Sequence, residues 1–191
     1  RASNEKSRAL LSFQYTAHMP TARERARAEL TREIKEAARR QIAEVGASAL
    51  SLRAVSRELG MVSSALYRYF PSRDALLTAL IVDAFDAVGA VAEQVEQDLP
   101  ARRGFTVRWV GLGTAVRAWA VANPHDYALI YSSPVPGYEA PTDTVDPAAR
   151  VSLVALRLVA DGVASGDIEP AADLAMPRVT VPSTGMGCPA C

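Results

Sequence analysis

Along the first half of the chain, apolar residues recur every three or four positions, and glycine, serine and proline interrupt them at short intervals. "TARERARAELTREIKEAARRQIAEVG" (21–46) sets Ile34, Ala38 and Ile42, with Val45, at the spacing of one buried helical face. Thr31 is placed to cap this helix and Gly46 to end it. Ahead of Thr31, "RERARAEL" reads either as an extra helical turn or as a mobile basic arm. "LSLRAVSRELG" (50–60) predicts a second helix, with Ser51 as its cap, Leu52, Val55 and Leu59 facing inward, and Gly60 closing it. Met61 and Val62 alone separate it from a third helix, Ser63 to Tyr69, which Pro71 ends. Ser72 then caps a long fourth helix over 73–98, with Leu76, Leu77, Leu80, Ile81, Ala84, Phe85 and Val88 on its apolar side.

The second half is patterned differently. "FTVRWVGLGTAVRAWAVANP" (105–124) predicts a fifth helix with almost no polar face, so it is expected to be buried nearly all round. Gly111 and Gly113 weaken it locally and mark either close helix contact or room for a ligand. Pro124 opens a short sixth helix over 125–131. Residues 132–147 hold four prolines and a glycine without periodicity, which is long for a passive connection. "AARVSLVALRLVADGVASG" (148–166) predicts a further helix with Val151, Val154, Leu158 and Val159 inward. "DIEPAADLAMPR" (167–178) holds one or two more turns, and 179–191 reads as a tail. Residues 1–19 lack periodicity and are set apart as an upstream extension, a cloning remnant or an arm. The expected fold class is all-α.

Composition adds one asymmetry. The 191 residues carry no net charge, yet 20–75 hold eleven basic against seven acidic residues, while 76–191 hold seven against thirteen. A basic N-terminal part on an acidic body suggests that one end meets a polyanion. No run reaches the roughly 18 apolar residues that a membrane span requires. Both cysteines lie in the last four residues, so there is no disulfide framework and the expected compartment is the cytoplasm.

Two short helices joined by a glycine-containing turn are the layout of a helix-turn-helix, whose second helix enters the DNA major groove. Val62, Ser63, Ser64 and Ala65 then stand at base edges, and small side chains there allow close approach. Leu66 and Phe70 lie one turn apart and pack inward, which pushes Tyr67, Arg68 and Tyr69 toward phosphates and bases. Arg73 begins a helix beside the Ser72 cap, a favourable place for an anion. Thr31, Arg32 and Lys35 are positioned to clamp neighbouring phosphates.

The string "AARRQIAEVGASALSLRAVSRELGMVSSALYRYFPSRDALLTAL" closely resembles the DNA-binding domain of TetR-family transcriptional regulators over residues 31–81. The resemblance implies a homodimer with a divergent ligand-binding body, with recognition contacts at Ser63, Ser64, Tyr67, Arg68 and Tyr69 and a phosphate clamp at Arg73. Residues 118–151 more faintly resemble the WHG-domain subtype of that family. The implied division is a DNA-binding part over 20–72, a regulatory part over 73–178 and a tail. The expected partners are double-stranded operator DNA, a small-molecule effector and a second copy, with no membrane. One departure is evident: after Gly166 the chain does not continue into the long helices that usually build the family's dimer, so it is truncated or altered, or its last helix is short.

Other chemistry is sparse. Cys188 and Cys191 form a lone CxxC without a second pair or a nearby histidine. His125 beside Asp126 fits a helix start better than acid–base work. No catalytic set stands out, so neither an enzyme nor a cofactor or metal is expected. Trp109, Trp119, Tyr127, Tyr131 and Tyr138 cluster around the fifth helix and its following loop, as core or as the lining of a pocket. The reading is a repressor released by its ligand. A ligand-independent DNA-binding protein acting through a partner is the first alternative, and an enzyme of the body region the second.

Overall fold

The computed structural model describes residues 21–132 and 134–169, which form seven α-helices and three short 3-10 turns without strands among the described residues. The helices are α1 (Ala22–Val45), α2 (Leu52–Glu58), α3 (Ser63–Leu66), α4 (Arg73–Asp98), α5 (Phe105–Ala122), α6 (Pro124–Tyr131) and α7 (Val145–Ser165). The all-α expectation holds.

The first helix begins at Ala22, well ahead of Thr31. Thr21 is the N-cap, and it and Glu24 close a reciprocal capping box: the Thr21 hydroxyl accepts from the Glu24 amide at 3.2 Å, and the Glu24 carboxylate accepts from the Thr21 amide at 2.6 Å. Thr31 is therefore mid-helix, where its hydroxyl donates to the Arg27 carbonyl at 2.8 Å. Val45, expected inward, is exposed, because the chain turns away at Gly46 with φ of +83°. Ser51 sits at the N-cap of α2 but its side chain makes no capping bond; Gln41 accepts from the Ser51 amide instead. Ser72 does cap α4, accepting from the Ala75 amide at 3.0 Å.

α4 is the spine. Its N-terminal half shares a core with the first three helices: Ile34, Ala37, Ala38 and Ile42 from α1, Leu52 and Val55 from α2, Leu66 and Phe70 around α3, and Leu76, Leu77, Leu80 and Ile81. Its C-terminal half packs on α5 and α7 through Ala92, Leu112, Val154 and Leu158. By length and mean hydropathy α4 could span a membrane, but its apolar side is the common core of both halves.

α5 departs from expectation. Of its residues only Arg108 and Leu112 are buried, while Val107, Trp109, Val110 and Val121 are exposed. The helix packs on α4 and α7 and meets α6, and it leaves Val107, Trp109, Val110 and Val121 uncovered among the described residues. Arg108, within this apolar stretch, is buried and donates to Asp161 of α7 at 2.8 Å. On α7, Val159 is likewise exposed with Leu153, Leu156 and Val163. The two glycines of α5 serve different ends. A side chain at Gly111 would meet Leu99 at 2.6 Å, so this is close helix contact, whereas Gly113 faces open space.

Candidate nucleic-acid interface

Residues 59–62 turn the chain between α2 and α3, and Gly60 takes a φ of +64° that only glycine adopts without strain. The Met61 amide donates to the Ser56 carbonyl at 2.8 Å and closes the turn. α3 is a single turn, Ser63–Leu66, and residues 67–69 continue as a tighter turn rather than as helix. Leu66 is fully buried and Phe70 nearly so, as the one-turn spacing predicts. Ser64, Tyr67 and Arg68 consequently face outward. Tyr69 is half-buried against the N-terminal core, with the Arg27 guanidinium 4.9 Å above its ring.

Beside Tyr67 lies an open groove lined by Ser51, Leu52, Arg53, Pro71, Ser72 and Arg73 among others. Two guanidinium groups, two hydroxyls and a phenol in one shallow surface suit a phosphodiester, which accepts hydrogen bonds and carries negative charge. Arg53 is exposed on α2 and escaped the sequence reading, since its place in the groove arises only when α2 folds against residues 71–73. Arg73 is braced rather than free. Its guanidinium donates to the carbonyls of Ala47 and Ser48 at 3.0 and 3.2 Å and to Asp74 at 3.1 Å.

The other expected clamp residues diverge. Arg32 is exposed but lies between Glu29 and Glu36, bonding both, and chiefly the Glu29 hydrogen bond raises its pKa. Lys35 points toward α4, 2.8 Å from Asp83. Asp83 also accepts from Arg39 at 3.0 Å, and Arg39 stands 3.4 Å from Asp126 at the start of α6. Thus Asp126, beside His125, ties α6 to α1. Ser56, also missed, is buried between α2 and α3, with its hydroxyl 3.1 Å from that of Ser63.

The five aromatic candidates do not converge on one cavity. Trp109 stacks on Phe105, with ring centroids 5.4 Å apart, on the outer side of α5. Tyr127 and Tyr131 pair at 5.0 Å, and Phe85 meets Tyr131 edge-on. Burial, with the nearby Tyr127, raises the Tyr131 pKa. Trp119 is half-buried on α5, and Tyr127 instead lines a mostly apolar hollow with Gly113, Val116 and Val121. Tyr138 bonds Thr78 of α4 at 2.9 Å and anchors the proline-rich loop. That loop separates two clefts. One, of about 330 Å³, lies between Ile42, Ala47 and Ser48 on one side and His125, Ala128 and Leu129 on the other. Its neighbour, of about 350 Å³, is lined by Ile81, Phe85, Ile130 and Tyr138. The Cys188–Cys191 motif lies outside the described residues. No cluster that could hold a metal occurs among the described residues.

This fold, with its glycine turn and outward hydroxyl, phenol and guanidinium face, defines a helix-turn-helix protein on a helical body. Residues 34–80 match the family model described as bacterial regulatory proteins, tetR family, and residues 109–185 match a tetracyclin repressor-like C-terminal domain. The chain belongs to the TetR family. The matched C-terminal description does not carry the narrower WHG name. The chain is 46% identical over 151 residues to the HTH-type transcriptional regulators Mb1846 of Mycobacterium bovis and Rv1816 of Mycobacterium tuberculosis, spanning 78% of its own length and 64% of theirs. It superposes on the solved structure of regulatory protein SCO4313 with a TM-score of 0.66 at 42% identity, over 73% of this chain and 66% of that one. The structure of PfmR from Thermus thermophilus, 18% identical with a TM-score of 0.59 over 72% and 74% of the two chains, shares the fold.

Proposed function

We propose that the chain is a DNA-binding transcriptional regulator that works as a cytoplasmic homodimer and represses until a small molecule releases it from its operator. Residues 20–72 form the DNA-binding part and 73–178 the regulatory part. The observation that carries the reading is the single surface formed by Ser64, Tyr67 and Arg68 together with the Arg53–Arg73 groove. Ser63 and Ser64 meet base edges. Tyr67 and Arg68 meet the backbone and the bases beside it, Arg53 meets the backbone alone, and Tyr69 supports them from the core side. Arg73 reaches a phosphate from the edge of the turn whose carbonyls it braces. Thr31, Arg32 and Lys35 contribute less than their positions suggest, since each already has a partner within the chain.

Release by a ligand is supported by the two clefts beside the proline-rich loop. Neither is lined by Asp, Glu, Lys or Arg, so a neutral, mainly apolar molecule fits them. The first touches the Ala47–Ser48 turn that holds Arg73, so its occupation bears on the DNA-facing groove through one layer of contacts. A ligand acts there only by favouring one arrangement of the two parts over the other.

The test is retention of randomised duplex DNA by the wild-type chain and by Arg53→Ala, Arg68→Ala and Arg73→Ala variants, singly and combined. Binding by the wild type and its loss in the triple variant, with helicity unchanged, support the reading. Equal retention by both removes the interface.

A further inference from the structure

The strongest unclaimed feature is the buried hydroxyl pair beneath the DNA-facing surface. Ser56 of α2 is 1% exposed, and its Oγ lies 3.1 Å from Oγ of Ser63, the first residue of α3. Ser56 Oγ also donates to the Arg53 carbonyl at 3.0 Å. A serine hydroxyl has one proton and two lone pairs, and a carbonyl can only accept. Both contacts are satisfied together only when Ser56 donates to Arg53 and Ser63 donates inward to Ser56. Ser63 is left with lone pairs alone for anything that approaches from outside.

We infer that Ser56 fixes Ser63 as an obligate hydrogen-bond acceptor, so that Ser63 selects an adenine or cytosine over a guanine or thymine on the strand it touches. This rests on the proposed DNA-binding reading and adds the sense of one contact. In the major groove the only base donors are the amino groups of adenine (N6) and cytosine (N4), whereas guanine N7 and O6 and thymine O4 accept. Phosphate oxygens accept as well, so Ser63 as held here cannot donate to the backbone. Ser64 gives the contrast. It is exposed and bonded to nothing among the described residues, so its hydroxyl turns to donate or accept and carries little preference. Ser56 touches no base; it is a positioning residue acting through Ser63.

The experiment selects duplexes bound by the full chain from a random pool, with wild type, Ser63→Ala, Ser56→Ala and Ser56→Thr. In the wild type, one position of the half-site should require an amino base, and Ser63→Ala should relax that position alone. Ser56→Ala frees the Ser63 proton, so guanine and thymine should become acceptable there, while Ser56→Thr should restore the preference. A merely structural role for Ser56 would lower melting temperature or weaken all sequences together without moving one base. A second measurement needs no variant at Ser56. Replacing the selected base by an analogue without its amino group should weaken wild-type binding by about fivefold, the worth of one neutral hydrogen bond, and leave Ser63→Ala unaffected. An unchanged preference in folded Ser56→Ala, a guanine or thymine at the Ser63-dependent position, or indifference of the wild type to the analogue each overturns the inference while leaving DNA binding intact. Selection of no DNA by the wild type removes the DNA-binding reading itself.

Discussion

The two halves of α4 run through opposite environments. In α1–α3 and the turns that join them at its N-terminal half, nearly every large apolar side chain finds cover within the chain; Val45, Val62 and Tyr67 are the exposed ones, and the last two lie at the candidate interface. What that half shows outward is arginine, serine and phenol. Around the C-terminal half, α5 and α7 bury one side each and expose Val107, Val110 and Val121, and Leu153, Leu156, Val159 and Val163. The contrast indicates what each half lacks. A closed core with a polar, basic face calls for a polyanion. Apolar side chains arrayed on two helices call for an apolar partner, since monomers seldom leave large patches bare.

That contrast can be broken most sharply in the closed core. Leu66 is fully buried and Leu156 is 64% exposed. Leu66→Ala should cost about 2–5 kcal/mol in denaturant unfolding and abolish DNA binding, whereas Leu156→Ala should stay within about 0.5 kcal/mol for the monomer. Similar losses at both sites would mean that the two halves are packed alike.

The open side is tested by charge. Leu153→Glu with Leu156→Glu should shift sedimentation from dimer to monomer while helix content stays constant. A dimer that survives both carboxylates places the contact between copies elsewhere.

The polar face is tested by salt. Arg53→Ala should weaken binding to all sequences alike and reduce the slope of log affinity against log salt by about 0.9, one phosphate's worth. A change of sequence preference instead would move Arg53 from the backbone to a base.

The smallest effect concerns acid stability in the C-terminal half. Glu93 accepts two hydrogen bonds from Arg150, at 2.8 and 2.7 Å, and these hold its carboxyl below the ordinary value of 4.5. The folded state binds this proton less readily than the unfolded chain, so the pair stabilises above that ordinary value. The contribution fades as pH falls from 4.5 through the lower folded value. Melting temperatures of wild type and Glu93→Gln should therefore differ at about pH 6 and converge as pH falls through the lowered folded value. A gap that persists in acid would show that Glu93 acts through packing.

Sequence pattern made the N-terminal half legible because its signals are local. The Gly60 turn, the one-turn spacing of Leu66 and Phe70, the Ser72 cap and the bounds of α4 each depend on a few neighbouring residues. The Thr21–Glu24 capping box was equally local, but the charged run behind it hid a helix that periodicity alone did not show. Elsewhere the information lies between elements. Arg53 enters the groove, Ser56 meets Ser63 and Lys35 turns to Asp83 only once helices pack. The α5 misreading has another cause. Hydrophobicity reports what a surface tends to bury, and a single chain need not supply the partner. Arg108 made the converse point, since a charged residue amid valines proved to be the one held inside by Asp161.

The central claim is that the Ser63–Arg68 surface reads duplex DNA and that the apolar sides of α5 and α7 pair two copies. Unbiased selection of bound duplexes from a random pool tests both together. The expected result is one consensus of two inverted half-sites spaced by about one helical turn, as two symmetry-related recognition helices dictate. Enrichment of a single undivided site would contradict the dimer, and no enrichment at all would contradict the interface.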